Sequence, residues 1–252
     1  MLSITSRDNP LLNDLRKLGL DNLAYRKQNQ VWLEGEHLCR AALLRGQRPL
    51  AAIFAESKLA QLNPALVGQA AKDIAVPDKL FAELCGVESP SGLGFVIALP
   101  QTTAIAPLAP TVILDQVQDA GNVGSILRSA AAFGFQQILA LKGAAGLWSP
   151  KVLRAGMGAH FALQLHEGLT LGDLAALQLP ILATSSHAGQ WLHVMPLPKP
   201  CAWAFGHEGQ GISAALQAKA FGLVRVHQPG GEESLNVAAA AAVCLHASAV
   251  GV

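Results

Sequence analysis

Short apolar runs recur along the chain, each bounded by glycine, proline or polar residues. In the first third, residues 31–33, 50–55 and 92–99 read as strands. Between them, periodic apolar positions predict helices over 9–20, 38–44 and 79–85, the last two stopped at Gly46 and Gly86. Beyond residue 110 the alternation resumes. Strands are predicted at 112–114, 138–141, 162–165, 181–184, 202–205 and 223–226. Helices are predicted near 123–133, 150–157, 171–177 and 235–247. Apolar strands alternating with helices predict an α/β fold whose parallel sheet is covered on both faces. Residues 100–110 hold Pro100, Pro107 and Pro110 among small residues. The expected organisation is a domain at 1–100, a linker at 101–110 and a second domain at 111–252.

Composition adds limits. Apolar residues make up 51% of the 252 positions and charged residues 14%, enough apolar material for a core in each half. A net charge of +1 gives no broad basic field. Any nucleic-acid contact must then be local or assembled in a dimer. Within residues 1–50, eight Lys/Arg (among them Arg7, Arg16, Lys17, Arg26 and Lys27) face five acids. Cys39, Cys85, Cys201 and Cys244 lie far apart, with no Cys-x-x-Cys pair. They read as small buried hydrophobes in a reducing compartment. The histidines show neither His-x-x-x-His nor His-Glu-x-x-His spacing, so no metal is assigned. The N-terminal residues lack the pattern of a signal peptide, and residues 237–250 are too short to span a bilayer. A soluble cytoplasmic protein is expected.

Three glycine-rich stretches follow predicted strands, where open parallel sheets bind ligands. The first is Asp119-Ala120-Gly121-Asn122-Val123-Gly124-Ser125-Ile126-Leu127-Arg128. Helical side chains lean toward the N-terminus, and positions i and i+4 share a face. Arg128 is therefore expected to reach back over Gly124 toward Asn122, a cation beside a helix mouth that suits a phosphate. A capped surface helix would explain this stretch taken alone. The second is Gly206-His207-Glu208-Gly209-Gln210-Gly211, where glycines permit close backbone approach to a ligand. The third is Gln228-Pro229-Gly230-Gly231-Glu232-Glu233-Ser234-Leu235-Asn236, with Ser234 as the expected helix cap and Asn236 in the first turn. Neither Gly-x-Gly-x-x-Gly nor a P-loop pattern is present.

In this order the stretches resemble the motifs of the SpoU (TrmH-like) RNA 2′-O-ribose methyltransferases of the SPOUT class. Asn122-x-Gly124-x-x-x-Arg128 is similar to the first motif and Phe205-Gly206-His207-Glu208-Gly209-x-Gly211 to the second. Glu233-Ser234-Leu235-Asn236-Val237 is similar to the third. Arg154-Ala-Gly156-Met-Gly158-Ala159 resembles a further family segment. The first part of the chain, through Arg7, Leu33-Glu34-Gly35-Glu36 and Ser89-Pro90-Ser91-Gly92, resembles the family's L30e-like substrate domain. Two departures stand out. His207 replaces a common Asn or Ser, and Val226-His227-Gln228 replaces a common Ile-Pro-Met.

The resemblance implies S-adenosylmethionine as cofactor, a mostly parallel C-terminal sheet with a deep trefoil knot, and a homodimer. It implies a cofactor pocket lined by Thr184, Gly206, Gly209, Gly211, Val226, Ser234 and Leu235. It implies a catalytic set of Asn122, Arg128, Glu208, Ser234 and Asn236, with Glu208 fixing an arginine of the partner subunit. Arg7, Arg16, Lys17, Arg26 and Lys27 are the candidates for RNA phosphates. The implied reaction is attack of a ribose 2′-hydroxyl on the sulfonium methyl. Either Arg128 is deprotonated locally and takes the hydroxyl proton, or it stays charged while an RNA phosphate takes it. The high guanidinium pKa favours the second. Ribosomal RNA is the expected substrate, with transfer RNA as the alternative. The competing classes are a non-catalytic RNA-binding protein and an NAD-dependent enzyme acting on small molecules.

Overall fold

Asn9 begins the first helix because its side-chain oxygen accepts the Leu11 N–H at 3.0 Å while Pro10, lacking a donor, opens the first turn. Leu12, Leu15 and Leu18 then fall on one buried face. The computed structural model describes residues 1–230 and 234–251. In chain order its first elements are β1 (Leu2–Ser3), α1 (Pro10–Leu20), α2 (Ala24–Gln28), β2 (Gln30–Glu34) and α3 (Glu36–Leu44). They are followed by β3 (Ala51–Ala55), β4 (Asp73–Val76), α4 (Asp78–Ala82) and β5 (Leu93–Ala98). The chain continues through β6 (Thr111–Asp115), α5 (Ala120–Ala132), β7 (Gln137–Leu141), α6 (Pro150–Gly156) and β8 (Gln164–Leu169). It ends with β9 (Ile181–Thr184), β10 (Gln190–Trp191), β11 (Ala202–Gly206), α7 (Ala214–Gln217), β12 (Gly222–Arg225) and α8 (Val237–Val250).

These elements form two units. The first comprises Met1–Gln101 together with Trp148–Phe161, so it includes α6. Its sheet has the order β1-β4-β3-β5-β2, with β5 antiparallel to both neighbours and the remaining pairs parallel. Phe54, Phe81, Phe95, Leu33 and Leu84 are fully buried in it. Arg154 of α6 lies 3.6 Å from the Glu34 carboxylate at the end of β2. Burial raises the Glu34 carboxyl above its usual value, and Arg154 opposes that shift.

The second unit comprises Thr102–Leu147 and Ala162–Val252. Its seven strands are all parallel in the order β10-β12-β9-β11-β6-β7-β8. β6, β7 and β8 step outward in one direction. β9 returns to the other side, and β11 fills the slot between β9 and β6. Every residue of β6, β7 and β11 is buried, as expected for strands covered on both faces. Gly206 pairs with Asp115, and Thr184 with Val224. The carboxyl ends of β6, β11, β9 and β12 thus lie side by side on one edge. α8 packs on α5 and β11, and Trp203 Nε1 donates to Ser248 Oγ at 2.8 Å.

Two expected helices differ. The segment at 171–177 makes only one 3-10 turn, Asp173–Ala176, because Asp173 Oδ2 binds Thr170 and β9 begins soon after Pro180. The helix expected at 123–133 starts at Ala120, since Asp119 accepts the Asn122 N–H at 2.7 Å and caps it. The short elements β1, β4, α2, β10 and α7 carry too little periodicity to stand out in the sequence. Among the described residues, no helix is long and apolar enough to cross a membrane.

Candidate active site

The loop after β11 folds against the mouth of α5. Glu208 Oε1 accepts the Asp119 N–H at 3.1 Å and the Asn122 side-chain amide at 3.1 Å, and Oε2 accepts the Gln118 N–H at 3.3 Å. A carboxylate there also meets the positive end of the helix dipole. Burial pushes the Glu208 carboxyl up, but the hydrogen bonds from Asn122 and from backbone N–H groups outweigh it and hold the group below the usual glutamate value.

Asn122 has its amide nitrogen on Glu208, so its carbonyl oxygen must face a donor. That donor is Asn236 Nδ2, at 2.9 Å. The Asn236 oxygen in turn accepts the N–H groups of Ala238 and Ala239 at 2.9 and 3.3 Å. Asn236 therefore caps α8, which begins at Val237. This corrects the expectation that Ser234 caps a helix from 235. The reason is geometric: only Asn236 is both one residue before the first turn and within reach of Asn122. Ser234 lines the nearby cavity but makes no side-chain hydrogen bond among the described residues. Gly231, Glu232 and Glu233 of the third stretch lie outside the described residues.

A further expectation changes. The Asn122 side chain is engaged by Glu208 and Asn236, and no hydrogen bond joins it to Arg128 among the described residues. Arg128 is exposed on α5, without a hydrogen-bond partner among the described residues. The arginine that Glu208 is expected to fix belongs to the partner subunit. Within its own chain the Glu208 oxygens take three N–H donors, because the loop after β11 ends beside the Gln118 and Asp119 backbone and the Asn122 side chain.

The loop itself is narrow. His207 and Gly211 exchange backbone hydrogen bonds at 3.0 and 2.8 Å. A Cβ at Gly206 would lie 2.2 Å from the Gly211 carbonyl carbon, so no side chain fits there. Gly211 adopts a φ of 69°, which glycine tolerates. His207 Nδ1 accepts the N–H groups of Gly209 and Gln210 at 3.0 and 3.3 Å, which makes Nδ1 the unprotonated ring nitrogen.

Beside this loop lies a cavity of about 550 Å³. The loops after β9, β11 and β12 and the start of α8 line it. Thr184, Gly206, Gly209 and Gly211 are on its wall, as are Val226, Ser234, Leu235 and Asn236. The Thr184 hydroxyl donates to the Ala204 carbonyl at 3.1 Å, which fixes the strand end. Ser185, Ser186, His187 and Gln217 also line the cavity and were not singled out from sequence, and Gln228, a departure noted there, lines it too. Ser185 and Ser186 directly follow a predicted strand, which was the available signal; Gln217 sits on the short helix α7, which had none.

In the N-terminal unit, Arg7 Nε and Arg16 Nε both donate to Glu83 Oε2, at 3.0 and 3.1 Å. Lys17 pairs with Asp14 at 3.3 Å. Arg26 donates to the Tyr25 hydroxyl at 2.9 Å, and Lys27 is exposed. Arg7 and Arg16 are thus brought together, whereas Lys17 and Arg26 have separate partners. Among the described residues, no group of three or more His, Cys, Asp or Glu is placed to hold a metal ion.

A sequence model of the SpoU rRNA methylase family matches residues 109–246. An uncharacterised tRNA/rRNA methyltransferase of a Synechocystis species is 32% identical, over 97% of this chain and 92% of its own. A 23S rRNA (guanosine(2553)-2′-O)-methyltransferase of Bacillus subtilis is 28% identical over 98% of both chains. An AdoMet-bound rRNA methyltransferase from Sinorhizobium meliloti superposes with a TM-score of 0.84 at 25% identity, covering 98% of this chain and 96% of that one.

Proposed function

The chain belongs to the SpoU rRNA methylase family, and from that premise we propose that it methylates a ribose 2′-hydroxyl in ribosomal RNA. It is an S-adenosylmethionine-dependent RNA 2′-O-ribose methyltransferase. The observation that carries the reading is the Glu208–Asn122–Asn236 link, which joins all three motif segments beside one cavity. The rRNA substrate is supported by the Bacillus subtilis relative, which acts on 23S rRNA.

The residues present fit the cofactor. A cavity of about 550 Å³ suits a ligand of this size. Its wall combines a glycine-rich backbone with a few polar side chains, one of which has a buried oxygen lacking any partner among the described residues. Thr184, Gly206, Gly209, Gly211, Val226, Ser234 and Leu235 would hold the group. When bound, it supplies an electrophilic methyl on a cationic sulfur.

The chain's own residues then have separate tasks. The Glu208–Asn122–Asn236 link fixes the α5 mouth and the start of α8, so that Arg128 projects from a rigid helix. Arg128 stays protonated and orients the 2′-hydroxyl and a neighbouring phosphate through its planar fork of donors. The hydroxyl proton passes to that phosphate. Alignment of hydroxyl and methyl supplies much of the rate gain.

The wider assembly follows the same reading. Residues 1–100 act as an L30e-like RNA-binding domain, 101–110 as a linker and 111–252 as a knotted SPOUT domain. Arg7, Arg16, Lys17, Arg26 and Lys27 meet RNA phosphates. α8 is apolar except for His246 and Ser248, and Val243 and Val250 remain 42% and 56% exposed, which supports burial against a second copy in a homodimer. The site of action is the cytoplasm.

The test is mapping of 2′-O-methyl nucleotides in RNA from cells with and without the protein, followed by methyl transfer from labelled S-adenosylmethionine to the RNA identified. Loss of one ribosomal site is expected. Loss confined to transfer RNA would replace the substrate, and no loss together with no transfer in vitro would overturn the reading.

A further inference from the structure

Gln228 lies three residues past the end of β12 and lines the cavity. Its Oε1 is buried and has no hydrogen-bond partner among the described residues. A buried acceptor left unpaired costs free energy, and a ligand that donates to it recovers that cost. This residue is also a departure from the family pattern, which commonly has Met here.

The strand order says which part of the cofactor can reach it. β12 stands three strand spacings from β6, roughly 14 Å across the sheet edge. Asn122 and Arg128 belong to the β6 side, on the helix that follows that strand. The reacting methyl must lie at that side. In S-adenosylmethionine the ammonium and the ribose hydroxyls are within a few bonds of the sulfur. The exocyclic amine of adenine sits at the far end, and it is a donor.

We propose that Gln228 accepts a hydrogen bond at Oε1 from the 6-amino group of the cofactor's adenine and so sets preference for that base. The assignment rests on the methyltransferase reading above. It adds a side-chain contact particular to this chain.

The experiment is calorimetric titration with S-adenosylhomocysteine and with its purine analogue lacking the 6-amino group, neither of which can transfer a methyl. Wild-type protein is expected to bind the amino ligand about tenfold more tightly. Gln228→Met removes the acceptor at similar length and should bring the two affinities within about twofold. Gln228→Glu keeps an acceptor oxygen and should retain the preference, and Gln228→Ala serves as a second deletion of the acceptor. Thermal melting establishes that each variant is folded. A folded Gln228→Met protein that keeps the tenfold preference, or that weakens both ligands equally, overturns the assignment. If the wild type binds neither ligand, the methyltransferase reading fails first and this contact falls with it.

Discussion

The side-chain amide of Asn122 donates to the Glu208 carboxylate across 3.1 Å, although 86 residues separate them. The bond ties the start of α5 to the loop after β11, and Asn236 closes the link from α8. Asn122→Ala should therefore reduce methyl transfer by tenfold or more while moving the melting temperature by only a few degrees. Asn122→Asp should do worse near neutral pH, since it sets a second carboxylate against Glu208. Protonation of that pair as the pH falls should recover part of its lost melting temperature. Melting curves at pH 7.5 and 5.5 measure this, and a pH-independent deficit would contradict it.

Arg128 is the one member of the proposed catalytic set that is exposed and unpaired among the described residues without lining the cavity. Arg128→Ala should abolish methyl transfer yet change S-adenosylhomocysteine affinity by less than about twofold. Arg128→Lys should rescue little, because a single ammonium cannot reproduce the planar fork. Near-normal turnover in either variant would remove the role given to Arg128.

Gly206 has no room for a methyl group. An added Cβ would lie 2.2 and 2.3 Å from the Gly211 carbonyl carbon and oxygen. Gly206→Ala should cost about 1–3 kcal/mol of stability and weaken cofactor binding more than tenfold, because the loop that walls the cavity must open. Urea titration and calorimetry would show both effects; an unchanged affinity would mean that the loop does not shape the site.

In the N-terminal unit the Glu34 side chain is only 8% exposed and has Arg154 beside it. Removing the cation leaves a buried carboxylate with no counter-charge, so Arg154→Ala should cost about 2 kcal/mol at pH 7.5, less than for a fully buried pair because Arg154 is partly exposed. Burial already raises the Glu34 carboxyl, and losing Arg154 raises it further. An ionised carboxylate in this site costs stability above its folded pKa, and the cost disappears as the group takes up its proton on acidification. The deficit should therefore shrink between pH 7.5 and pH 5. A deficit equal at both values would assign the effect to lost packing instead.

Lys27 is exposed, whereas Arg7 and Arg16 share Glu83. Lys27→Ala should lower the slope of log affinity for RNA against log salt by somewhat under 1, with no change in melting temperature. An unchanged slope would show that Lys27 meets no phosphate.

Much of this protein was legible in its sequence. The runs at 181–184 and 202–205 identified buried strands because strands covered on both faces are filled almost entirely by apolar residues. Glycine clusters after them marked the loops, and Asn122, Glu208 and Asn236 stood out as members of motifs that resemble those of a known family. Tertiary structure decided the rest. The runs of β6, β9 and β11 are equally apolar, so nothing local says that β11 inserts between the other two. Ser234 and Asn236 are equally good caps by residue type, and only the Asn122 carbonyl, 114 residues away, selects between them. Local pattern records whether a residue is buried or turned. Which strand is its neighbour depends on packing between distant segments, and that packing brings the site together.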